Sequence, residues 1–87
     1  MLPAKDKQVI ELAIVGINYS ITRLQKRISK AAQYLDEIQK GLPTQCKKSP
    51  VELYGVILEK QNKIKELEDL KFELEIQLTE LETQLTE

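Results

Sequence analysis

The sequence predicts an all-α protein: an antiparallel two-helix coiled-coil hairpin, expected to dimerise into a four-helix bundle. Three observations carry the expectation. Apolar residues recur at alternating spacings of four and three along both halves of the 87-residue chain, which is the signature of a coiled-coil seam. Residues that stop and start helices gather at 41–50, between the halves. Aromatic residues make up only 5% of the chain and charged residues 31%, a balance that suits long solvent-facing helices and leaves little bulk for a sheet core.

The first helix is expected over about residues 4–40, opened by Pro3 or by Asp6. Its seam runs through Ile10, Ile14, Ile17, Ile21, Leu24, Ile28, Ala31, Leu35, Ile38 and Leu42. Ile10 takes heptad position d and Ile14 position a. Residues 9–21 are the most apolar stretch, but they are too short to span a bilayer, which takes ~20 apolar residues. Asp6 and Glu11 interrupt the pattern of a secretory signal, and no small-residue cleavage site follows.

The connection is expected over about residues 41–49. Gly41 suits the left-handed residue that follows a helix, because glycine reaches that conformation without steric cost. Pro43 then blocks continuation. Ser49-Pro50-Val51-Glu52 is a helix start: Ser49 can cap, Pro50 loses nothing at the first helical position, and Glu52 can close a capping box.

The second helix is expected over about residues 50–85, with its seam at Leu53, Ile57, Lys60, Ile64, Leu67, Lys71, Leu74, Leu78, Leu81 and Leu85. Leu53 is d and Ile57 is a. Lys60 and Lys71 depart from the apolar pattern. They either set the register by disfavouring other pairings or lay their stems along the seam with the ammonium in water. Leu70 is a candidate to fill the seam beside Lys71.

A short connection makes the helices antiparallel neighbours. Two registers join a layers to d layers. One sets Leu35 against Leu53 and leaves Leu42, Leu81 and Leu85 unpaired. The other sets Leu42 against Leu53 and Ile10 against Leu85, filling every layer, and is the expected one. It would bring Tyr19 level with Ile76. Residues 1–50 carry nine basic and four acidic groups, whereas residues 51–87 carry four and ten, so the two helices attract.

Composition also excludes functions. The chain has no His and one Cys, so the usual zinc ligand sets are missing, as are triads that need an imidazole base. Its carboxylates show no arrangement that would drive two pKa values apart. The expectation is a non-enzyme without cofactor, metal or small-molecule substrate. A single Cys fits a reducing compartment, hence a cytoplasmic location. Cys46 stands in the connection beside Lys47 and Lys48 and is expected to be exposed and inert.

What remains is association. Val9, Leu12, Val15 and Tyr19 fall on outer positions of the first helix, and Leu58, Phe72 and Ile76 on outer positions of the second. An isolated hairpin should be polar there, and apolar patches outside a core mark partner sites. The leading reading is an interaction protein that self-associates and serves as an adaptor or structural component. The alternative is a regulator or chaperone-like binder of a helix in another protein. Arg23, Lys26, Arg27 and Lys30 form a basic stripe that offers a third reading, nucleic-acid association, against which the acidic second helix counts.

Overall fold

The computed structural model describes residues 3–44 and 46–86, with side chains from 6 to 84. It consists of two long helices, α1 (Pro3–Gln39) and α2 (Pro50–Thr86), laid side by side in a rod 63 Å long and about 17 Å across. The fold is the expected all-α hairpin.

Each end of the connection is held by its own backbone chemistry. After α1, Gly41 takes a φ of 71°. Its N–H donates to the Ile38 carbonyl at 3.1 Å, and the Leu42 N–H donates to the Glu37 carbonyl at 2.9 Å. This pair of bonds is the Schellman motif, which satisfies carbonyls the helix leaves orphaned. Before α2, the Glu52 N–H donates to Ser49 Oγ at 3.3 Å, and the Leu53 N–H donates to the Ser49 carbonyl at 3.0 Å. Ser49 is therefore the cap the sequence implies.

The helices meet in a different register from the one expected. The core cluster joins Ala31 and Leu35 of α1 to Leu53 of α2, with Ile38, Ile57, Tyr34 and Cys46 packed around it. Leu35, not Leu42, is therefore the partner of Leu53. At the other end Lys7 Nζ lies 3.4 Å from Glu82 Oε1, in step with the same register. Leu42 is 52% exposed. The reason lies in the cap: the Leu42 N–H is committed to the Glu37 carbonyl, so the chain turns away before its side chain can join the seam. The expected pairing of Ile10 with Leu85 falls outside the described residues, because no Leu85 side chain is described.

The core is thin. Ile17, Ala31, Leu35, Leu53 and Ile64 are the buried hydrophobic residues among those described. Other seam positions, such as Ile10, Leu24, Leu67 and Leu78, are half-buried, as two helices cannot enclose a seam on all sides. Among the described residues no helix is long and apolar enough to cross a membrane.

Candidate interaction surfaces

The two lysines of the seam are half-buried. Lys71 Nζ lies 3.9 Å from Glu75 Oε1, and its side chain keeps 34% of its exposure. Its stem follows the seam while the ammonium reaches solvent-facing carboxylate one turn on. Lys60 lines a groove with Ala31, Leu53 and Glu59. Leu70 does not take over the seam beside Lys71: it is 46% exposed, because position g carries its side chain past the contact line rather than into it.

The basic stripe divides. Arg23 and Arg27 face Lys63 and Leu67 across one shallow groove. Arg27 and Lys30 line the next with Tyr34, Lys47, Lys48 and Lys60. Lys26 is exposed and lines neither. The hairpin thus gathers cations from both helices and the connection on one side near the turn. In the sequence only the α1 members form a stripe, because the others join it through the way the helices are matched. The Arg23 guanidinium lies 5.9 Å from the Tyr19 ring centroid, and Lys30 Nζ lies 6.0 Å from that of Tyr34, both within cation–π range. Lys63 is paired with Glu66 at 3.6 Å, and Glu59 stands in the second groove, so this side is not uniformly positive.

Cys46 is not the exposed thiol that was expected. It is a free, half-buried cysteine that packs against the Ala31–Leu35–Leu53 cluster. Its N–H donates to Thr44 Oγ1 at 3.2 Å, a local turn that folds the connection back over the end of the core.

The outer apolar residues are all open. Val9, Leu12, Val15 and Tyr19 are 59–70% exposed on α1, and Leu58, Phe72 and Ile76 are 44–65% exposed on α2. Leu12 and Val15 line one groove with Gln8 and Glu11. Val9 lines another, at the open end, with Ile10 and Leu81. The observed register brings Ile76 level with Leu12, not with Tyr19, and Phe72 level with Gly16. Val51 and Tyr54, at 80% and 56% exposure, extend the α2 stripe toward the turn. The signal that finds them is helical spacing: counted back from Leu58, Tyr54 falls four and Val51 seven residues away, on the same helical face.

No group of three His, Cys, Asp or Glu side chains suited to a metal occurs among the described residues. Comparison with family models, curated proteins and solved structures yields no match.

Proposed function

We propose that this chain is a non-enzymatic, cytoplasmic interaction protein, a helical hairpin that self-associates through its outer apolar surface and acts as an adaptor or structural component of a larger assembly. The observation that carries the reading is the mismatch between core and surface. Five hydrophobic residues are buried, while eleven large ones are 44–80% exposed among the described residues. Burying a large apolar side chain gains ~1.5–3 kcal/mol, so a partner that covers this surface supplies what the thin seam lacks. A second hairpin laid against the first forms a four-helix bundle, in which helix pairs bury two faces instead of one.

Sedimentation velocity of the native chain over a micromolar concentration range, with circular dichroism on the same samples, tests the reading. A stable, strongly helical dimer is expected. A monomer of low helicity would contradict it and would favour a regulator whose apolar face waits for a helix of another protein.

A further inference from the structure

The exposed stripe of α2 has a symmetry of its own. Val51, Tyr54 and Leu58 make it apolar toward the turn, and Phe72 and Ile76 make it apolar toward the open end. Between them lie Gln61, Asn62, Lys65, Glu68 and Asp69, all exposed. Leu58 and Phe72 each stand seven residues from Lys65, and Tyr54 and Ile76 each stand eleven. Seven and eleven residues are close to two and three whole turns, so all four share the face that Lys65 occupies. From Tyr54 to Ile76 the apolar positions mirror each other about Lys65; Val51, whose mirror position is Thr79, lies beyond this symmetric part.

We propose that a second copy of this chain docks antiparallel on this stripe, with the two-fold axis passing at Lys65. The proposal rests on the self-association reading above and specifies its geometry. In this arrangement Leu58 of each copy meets Phe72 of the other, and Tyr54 meets Ile76. An isologous contact makes each of these pairs twice.

Charge selects the same orientation. Residues 23–64, the half of the rod next to the turn, hold nine basic and four acidic groups, net +5. The remaining residues hold four basic and ten acidic groups, net −6. The register found in the fold makes these two groups the two halves of the rod, because Lys7 meets Glu82 at one end and Leu35 meets Leu53 at the other. Antiparallel copies lay each basic half along an acidic half, whereas parallel copies lay like on like within the reach of unscreened Coulomb forces, ~8 Å at physiological salt. Locally, Lys65 is the only cation at the b, e and f heptad positions of α2. Glu68 and Asp69 follow it within about one turn. Across the axis the two copies' Lys65 residues meet, and Glu68 and Asp69 of each copy, about one turn along, flank the other copy's Lys65 and offset that like-charge contact.

Spin labels attached to single cysteines introduced in a Cys46→Ala background test the geometry through pulsed dipolar distances between copies. The sites are Asn62→Cys and Thr79→Cys, which spare Lys65 and the apolar residues. With the axis at Lys65, the Asn62 sites are offset by ~9 Å and the Thr79 sites by ~42 Å along the rod, at 1.5 Å per residue. The expected result is a short distance, under ~25 Å, at Asn62 and about 40 Å at Thr79. Short distances at both sites mean a parallel dimer and overturn the proposal while leaving self-association intact. A long distance at Asn62 moves the axis elsewhere and also overturns it. Absence of any coupling between copies, together with a sedimentation monomer, overturns both this geometry and the self-association reading.

Discussion

Lys7 and Glu82 form the one ion pair among the described residues that joins the two helices, with Nζ 3.4 Å from Oε1. It ties down an α2 terminus that carries Glu80 and Glu82 and has no cation of its own after Lys71, which pairs with Glu75. Acidic groups at a helix C-terminus oppose the macrodipole, so the opposing helix supplies the compensation. Lys5, which could share this role, has no described side chain.

The pair is half-exposed on both sides, so its worth is modest, ~0–1 kcal/mol. Lys7→Glu is expected to lower global stability by less than ~1 kcal/mol while speeding amide exchange over the last two turns of α2. Adding Glu82→Lys should restore protection. Faster exchange in the single variant that the charge swap fails to reverse would mean that the pair does not hold the end.

The register makes a sharper prediction. Leu53 is 2% exposed and lies against Leu35, while Leu42 is 52% exposed. Leu53→Ala is expected to cost ~2–4 kcal/mol through lost burial and the cavity left behind. Leu42→Ala should stay within ~0.5 kcal/mol. Urea unfolding of the two variants checks this; equal losses would favour the register that sets Leu42 against Leu53.

The glycines are expected to respond with opposite signs. Gly41 has a φ of +71°, and an added Cβ there would meet nothing within 4 Å. Gly41→Ala should therefore lose ~1–2 kcal/mol purely from the left-handed backbone. Gly16 lies within α1, and a Cβ there also meets nothing within 4 Å. Gly16→Ala should gain ~0.5–1 kcal/mol from helix propensity. Thermal unfolding of both variants reads the signs directly.

The two helices were legible from local chemistry: the seam spacing, Gly41 at one boundary, and Ser49 with Pro50 at the other. The register was not. A slip by one heptad brings a layers to d layers equally well, so periodicity alone is indifferent between the choices, and filling every layer favoured the wrong one. What decides it is the commitment of the Leu42 N–H to the Glu37 carbonyl, a backbone event that no apolar count reveals. The same dependence hid the cationic side, since Lys47, Lys48, Lys60 and Lys63 join Arg27 and Lys30 only once the helices are matched. The outer apolar residues of α1 and α2 could be picked out from heptad position alone, because an outer position faces outward in either register. Polar residues around Cys46 suggest a thiol standing in solvent, and only the matched helices show it packed against the end of the core cluster.

The central claim, that the exposed apolar surface is where copies of this chain meet, is tested most directly by equilibrium sedimentation of Phe72→Glu with Ile76→Lys. Both residues are open in the hairpin, at 65% and 44% exposure, so their replacement leaves the seam untouched. Ile17→Asp, which puts a charge at a buried seam position, serves as the contrast and should unfold the chain outright. The account predicts that the double variant stays helical at low temperature, shifts from dimer to monomer at micromolar concentration and melts at a lower temperature than the native chain. A double variant that remains a dimer with an unchanged association constant would contradict it.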